Sequence, residues 1–101
     1  MDISTQTNRD LFVIHVAGKF TFDDHAEFRR QILAPIEDGD FAQVTMDMQN
    51  LEFVDSAGLG MLLLALDATQ KTRKKLLLTG AQGQVRKILD LTKFHTFFEI
   101  L

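Results

Sequence analysis

The chain has 101 residues, of which 46% are hydrophobic and 25% charged, so its composition predicts one folded domain over residues 1–101. A net charge of −3 argues against direct nucleic-acid binding, and the absence of cysteine excludes disulfides, thiol catalysis and cysteine-rich zinc sites. The longest apolar run, residues 61–66, is too short to cross a membrane, and the N-terminus lacks the pattern of a signal peptide. We therefore expect a cytoplasmic protein.

The first half of the chain begins with a strand followed by a helix. Apolar residues alternate along residues 11–17, which predicts a strand, and Gly18 is predicted to end it. Asp23 or Asp24 can cap a helix that runs to about residue 34, with Pro35 near its end. The inner face of this helix is predicted to consist of Phe28, Ile32 and Leu33.

The second half continues the alternation of strands and helices. A second core strand contains the alternating residues Val44, Met46 and Met48. Residues 75–79 form a predicted buried strand, Gly80 a turn, and residues 82–91 a third helix. Basic residues around position 73 lie where the dipole of the preceding helix favours cations, so we interpret them as capping residues rather than a nucleic-acid site. This order of elements predicts an α/β domain with helices packed on a mixed β-sheet.

The most informative segment is residues 51–60, Leu-Glu-Phe-Val-Asp-Ser-Ala-Gly-Leu-Gly, where a strand passes directly into a leucine-rich helix. Asp55 and Ser56 are both good N-cap residues, so the start of this helix is specified twice. Helix N-termini favour negative groups, because their N–H groups are unpaired and the dipole is positive there. The segment is therefore either an ordinary capped helix or a site at which a serine acquires a negative charge.

The helix that follows, residues 57–70, is apolar on two faces. One stripe, predicted to face the core, consists of Leu59, Leu62, Leu63 and Leu66. The opposite, outward stripe consists of Ala57, Met61, Leu64, Ala65 and Ala68. A helix on the surface of a monomer should be polar there, so this helix is either buried on both sides or carries a docking face beside the serine.

The order Asp55-Ser56-Ala57-Gly58-Leu59-Gly60, preceded by Met46-Asp47-Met48 and by Leu51 and Phe53, resembles the signature of STAS domains, in particular bacterial anti-sigma-factor antagonists. Gly18-Lys19-Phe20 is similar to the turn before the first helix of that family, and Phe98-Glu99-Ile100-Leu101 to its closing strand. Ala57 stands where some relatives have a second hydroxyl residue. The resemblance implies a single STAS-type domain.

The resemblance also implies a function. In that family a partner kinase phosphorylates the serine that follows the aspartate, which is Ser56 by position. The unphosphorylated chain is then expected to bind an anti-sigma factor that is also a serine kinase, and a serine phosphatase is expected to reverse the modification. The predicted partner-binding residues are Lys19, Thr21, Asp23, Asp24, Asp55, Ala57, Gly58, Met61 and Leu64.

No pattern in the sequence indicates an enzyme, a metal site or a bound cofactor. The three histidines are isolated, and Val54 stands where a serine-hydrolase elbow needs glycine. Residues 58–60, Gly-Leu-Gly, lack the Gly-Lys-Ser/Thr end of a P-loop. Two alternatives remain open: an accessory STAS subunit of a transporter or other complex whose serine never reacts, and a small-ligand domain that uses the Gly-Leu-Gly helix start. The intact Asp55-Ser56 pair favours the phosphorylated regulator.

Overall fold

A mixed β-sheet forms the centre of the computed structural model, which describes residues 1–97 and 99–101. Within these residues its strands follow one another in space as in sequence: β1 (Asp2–Asn8), β2 (Leu11–Phe20), β3 (Gln43–Val54), β4 (Lys75–Thr79) and β5 (Glu99–Ile100). β1 is antiparallel to β2, whereas β2 to β5 pair in parallel. The predicted α/β domain with a mixed sheet is confirmed.

Helices join the parallel strands and lie on one face of the sheet. The connections contain α1 (His25–Phe28) and α2 (Ala34–Asp38), then α3 (Ser56–Lys71), then α4 (Gly83–Leu91). Each connection leads from one parallel strand to the next strand in the order β2-β3-β4-β5. Because such crossovers are right-handed, all of their helices pack on the same face of the sheet. The row formed by Ile14, Met46 and Leu78 across three strands is accordingly fully buried, whereas His15 and Lys75 on the other face are exposed.

β1 was not predicted, because its sequence Asp-Ile-Ser-Thr-Gln-Thr-Asn has no alternation of apolar residues. It is an edge strand with nearly every side chain in solvent, and its pairing with β2 from Asp2↔Ala17 to Asn8↔Leu11 defines it. The predicted end of β2 at Gly18 was also wrong. The strand continues to Phe20, and Gly18 adopts a φ of +88° at a shift in register against β3.

The first helical connection is longer than predicted and contains Pro35. Proline inside a helix removes one backbone hydrogen bond and clashes with the carbonyl four residues earlier. Here the chain widens into a π-helical turn at Arg29–Leu33 just before the proline, with the Ala34 N–H donating to the carbonyl of Arg29. The helix therefore continues to Asp38, and its predicted inner residues Phe28, Ile32 and Leu33 are buried.

The predicted faces of α3 were partly wrong. Met61, Ala65 and Ala68, assigned to the outward stripe, are buried, and Leu63, assigned to the core, is 39% exposed. Leu59 and Leu62 are buried and Leu64 is 48% exposed, as predicted. With apolar residues on both sides, the sequence does not define the rotation of the helix. Packing defines it, because the small residues Ala65 and Ala68 let α3 lie close to the sheet and α2.

The C-terminal elements agree with the sequence. β4 has the predicted bounds, and α4 buries Val85 and Leu89 against the sheet. β5 contains Glu99 and Ile100 of the expected closing strand, while Phe98 lies outside the described residues. In the part of the chain that the structure describes, no helix is both long and apolar enough to cross a membrane.

The corrected faces of α3 predict different costs for two neighbouring leucines. Leu62→Ala removes a fully buried side chain and should lower the free energy of unfolding by about 2–5 kcal/mol through the cavity it leaves. Leu63→Ala truncates an exposed side chain and should cost about 1 kcal/mol or less. Urea denaturation of both variants measures the difference, and equal losses would show that α3 is rotated from this placement.

Candidate functional site

The candidate site lies where β3 passes into α3. Asp55 is the N-cap of α3, and its carboxylate accepts a hydrogen bond of 2.8 Å from the backbone N–H of Gly58. Ser56 is the first residue of the helix and is exposed. The sequence allowed either residue to be the cap. Because Asp55 fills that role, the hydroxyl of Ser56 is not needed to cap the helix and lies at the surface beside the positive end of its dipole.

Gly58 brings the start of α3 close to the end of β2. A Cβ atom at position 58 would lie 2.7 Å from the carbonyl oxygen of Phe20 and 2.6 Å from a methyl group of Val54. The backbone N–H of Asp55 donates to the same Phe20 carbonyl at 3.2 Å. Gly60 is exposed, and a Cβ atom at position 60 would have no neighbouring atom within 4 Å. Gly58 is therefore required by packing within the chain, whereas Gly60 faces solvent.

The segment after β2 lies beside this junction. The backbone N–H of Thr21 donates to the Asp24 carboxylate at 2.9 Å, and the other oxygen of that carboxylate pairs with the α-amino group of Met1 at 2.9 Å. Asp24 thus holds the segment in place, while Asp23 is exposed. Sequence reasoning missed Phe22, which is 63% exposed and stacked on His25 with ring centroids 4.8 Å apart.

A continuous exposed face of α3 begins at the serine. We define the α3 outer face as the residues that follow Ser56 at helical spacing and are exposed: Gly60, Leu63, Leu64 and Asp67. Leu63 and Leu64 give this face an apolar centre. It replaces the predicted outward stripe that contained Met61, which is only 7% exposed.

The predicted partner-binding residues therefore fall into two groups. The first group is exposed or partly exposed and consists of Lys19, Thr21, Asp23, Asp24, Asp55, Ala57 and Leu64. Gly58 and Met61 are buried, so the prediction that Met61 lies on an outward face of the helix was wrong. Leu63, Phe22 and Gly60, which were not among the predicted residues, are exposed.

Gln84 on α4 is a second residue that sequence reasoning missed. Its side-chain carbonyl accepts from the backbone N–H of Val54 at 3.1 Å, and its side-chain amide donates to the backbone carbonyl of Val54 at 3.1 Å. Val54 is the last residue of β3, next to Asp55. Thirty positions separate the two residues, so no local pattern indicates the contact.

Titratable groups elsewhere form isolated pairs. His15 pairs with Asp47 at 3.0 Å, and His25 is hydrogen-bonded to the carbonyl of Phe22 at 3.0 Å. The hydrogen bond from Arg30 lowers the pKa of the exposed Glu27 carboxyl. Among the described residues, no three His, Cys, Asp or Glu side chains are grouped so as to hold a metal ion.

Comparison with known proteins identifies the class of domain. The STAS domain family matches residues 2–101, and this chain belongs to that family. It is 32% identical to a STAS-domain containing protein of Pseudomonas aeruginosa over 91 residues, 86% of this chain and 84% of that protein. It is 25% identical to the anti-sigma-B factor antagonist of Staphylococcus epidermidis over 92 residues, 91% of this chain and 84% of that protein.

Solved structures confirm the fold. The phosphorylated form of the Bacillus cell fate determinant SpoIIAA aligns with a TM-score of 0.77 and 18% identity, covering 99% of this chain and 91% of that chain. The unphosphorylated form of the anti-sigma factor antagonist SpoIIAA aligns with a TM-score of 0.78 and 19% identity, covering 99% and 87%. The resemblance drawn from residues 55–60 is thereby confirmed at the level of family and fold.

The two glycines of α3 should respond in opposite directions to the same substitution. Gly58→Ala forces a methyl group against the Phe20 carbonyl and Val54, so we expect it to destabilise the domain by about 1–3 kcal/mol. Gly60→Ala meets no neighbour and replaces glycine inside a helix, so it should stabilise by about 0.5–1 kcal/mol. Denaturant titration of both variants tests the packing of the junction, and a harmless Gly58→Ala would contradict it.

Proposed function

We propose that this chain is a partner-switching regulator of the anti-sigma-factor antagonist kind, controlled by reversible phosphorylation of Ser56 in the cytoplasm. The observation that carries the proposal is the position of Ser56, an exposed first residue of α3 at the end of an apolar outer face. Its relatives include anti-sigma-B factor antagonists, which supports an anti-sigma factor as the partner. The proposed role is binding and release, without catalysis by this chain.

Phosphorylation of Ser56 is compatible with the fold. A phosphoserine carries about −1.5 to −2 charges and three acceptor oxygens, and a helix N-terminus stabilises such a group. The cap hydrogen bond runs from the Gly58 N–H to Asp55, so the modification on the next residue is expected to leave it in place. A solved structure of phosphorylated Bacillus SpoIIAA has the same fold as this chain. The phosphate is therefore expected to leave the domain folded.

The same phosphate is expected to oppose binding. Leu63 and Leu64 are exposed and adjacent on α3, and exposed apolar surfaces in a small domain mark contact sites. A partner that covers this patch must also desolvate Ser56 or place a charge against it. We propose that an anti-sigma factor with serine kinase activity binds the unphosphorylated face, phosphorylates Ser56 and is released, and that a serine phosphatase restores the binding form.

The first test concerns the acceptor. Protein purified from its native cells should show one phosphate by intact-mass spectrometry, and Ser56→Ala expressed in the same cells should show none. Fragmentation should place the phosphate on Ser56. Phosphate that persists in Ser56→Ala would assign the modification elsewhere. A wild-type chain that never carries phosphate would favour the alternative of an accessory STAS subunit.

Binding gives the second test. Ser56→Ala should bind the anti-sigma partner as the unmodified chain does, and Ser56→Glu should bind at least ten-fold more weakly, about 1.4 kcal/mol. Glutamate has about half the charge of phosphoserine, so true phosphorylation should have the larger effect. Thermal melts of both variants should match wild type. A Glu variant that binds normally would contradict the switch.

The third test locates the docking surface. Leu64→Lys and Leu63→Lys place a charge in the α3 outer face and should weaken partner binding at least ten-fold while changing stability by about 1 kcal/mol or less. Leu91→Lys is the matched control, because Leu91 is 72% exposed and lies on α4, outside the α3 outer face. Calorimetric titration of the three variants distinguishes them. Equal effects from Leu91→Lys, or none from the α3 variants, would place the partner elsewhere.

A further inference from the structure

The C-terminal half of β3 extends beyond its pairing with β4, and a side chain forms hydrogen bonds with it there. β3 and β4 pair from Gln43↔Lys75 to Asp47↔Thr79, but β3 continues to Val54. At Val54 the amide of Gln84 accepts from the backbone N–H and donates to the backbone carbonyl, both at 3.1 Å. One side chain thus supplies both hydrogen bonds that a neighbouring strand would give to this residue.

We propose that Gln84 is a positioning residue for the phosphoacceptor Ser56, an inference that rests on the proposed function. Val54 is the last strand residue before the cap Asp55, so the orientation of its peptide groups sets the direction in which the chain enters α3. From the side of β2, the Phe20 carbonyl accepts from the N–H of Asp55 at 3.2 Å. Gln84 supplies the corresponding restraint from the side of α4.

The restraint acts on chemistry because phosphoryl transfer needs an aligned acceptor. The attacking hydroxyl oxygen must lie in line with the leaving oxygen, and catalysis of this transfer consists mainly of positioning and charge stabilisation. Ser56 lies two residues after Val54 and has no role in capping that would fix it independently. Without the Gln84 contacts, the end of β3 is no longer held from the side of α4. The Ser56 hydroxyl then samples a wider range of orientations.

Gln82, the residue just before α4, provides a matched control. Gln82 donates from its side-chain amide to the backbone carbonyl of Gln49 at 2.7 Å. This contact is also between the α4 region and β3, but it lies several residues earlier in β3 than the junction. If any loosening between α4 and β3 impaired phosphorylation, both glutamines would matter. If Gln84 acts through Val54, only its removal should affect Ser56.

The experiment compares Gln84→Met with Gln82→Met in the full chain, using the serine kinase that phosphorylates the wild-type protein. Methionine preserves side-chain length and apolar packing but cannot replace the amide. We expect Gln84→Met to lower kcat for Ser56 phosphorylation about ten-fold with KM within about two-fold, because the α3 outer face is unchanged. Gln82→Met should change neither constant more than two-fold. Assays are run well below the melting temperature of each variant, so a loss of stability alone does not lower kcat.

Two further measurements keep the result decisive. Amide hydrogen exchange at Val54 should accelerate in Gln84→Met and not in Gln82→Met. Gln84→Glu can accept from the Val54 N–H but turns a carboxylate oxygen toward the Val54 carbonyl, so it should also lower kcat, and it provides a second variant if the methionine variant unfolds. If kcat is unchanged in Gln84→Met or in Gln84→Glu while wild type is phosphorylated normally, the role of Gln84 is refuted and the proposed function is not affected. A wild-type chain that accepts no phosphate at Ser56 refutes the proposed function, and the role of Gln84 with it.

Discussion

The contact between Gly58 and the end of β2 determines where the helix that carries Ser56 can begin. With no side chain at position 58, the first turn of α3 reaches the Phe20 carbonyl, which also accepts the hydrogen bond from the Asp55 N–H. The register shift near Gly18 precedes this point, and beyond it Phe20 pairs with Val54. Two strands and a helix therefore meet at one short segment. The exposure of Ser56 and the place of the Thr21–Asp24 segment beside it both follow from this meeting.

The junction divides two tasks between neighbouring residues. Asp55 satisfies the helix terminus through its bond to Gly58, and Ser56 has a hydroxyl free for another use. Had Ser56 been the cap, a phosphate on its oxygen would have had to replace the capping hydrogen bond of the unmodified side chain. With Asp55 as the cap, the proposed modification adds charge beside a helix terminus without displacing its cap hydrogen bond. This arrangement suits a switch whose two forms differ in binding and not in folding.

Strands β2 to β4 and the start of α3 could be predicted because each has a local signal in the sequence. The alternating residues Val44, Met46 and Met48 identify β3, and Asp55 with Ser56 identifies the helix start. β1 could not be predicted, since a polar edge strand is defined by its neighbour and not by its own pattern. The contact of Gln84 with Val54 has no local signal either. The rotation of α3 was ambiguous because both candidate faces were apolar, and only packing against the sheet distinguishes them.

The final rotation of α3 is informative about function because it buries two alanines and leaves two leucines at the surface. Ala65 and Ala68 are buried, while Leu63 and Leu64 are exposed. The inner residues set how closely α3 approaches the sheet and α2, and larger side chains there would overpack the core. Nothing in the packing requires leucine on the outer side, where polar residues would serve the fold as well. In the proposed function, the exposed leucines belong to the surface that the partner covers. Because the α3 outer face begins at Ser56, a single phosphate would lie at the end of that surface, where its desolvation would oppose binding most directly.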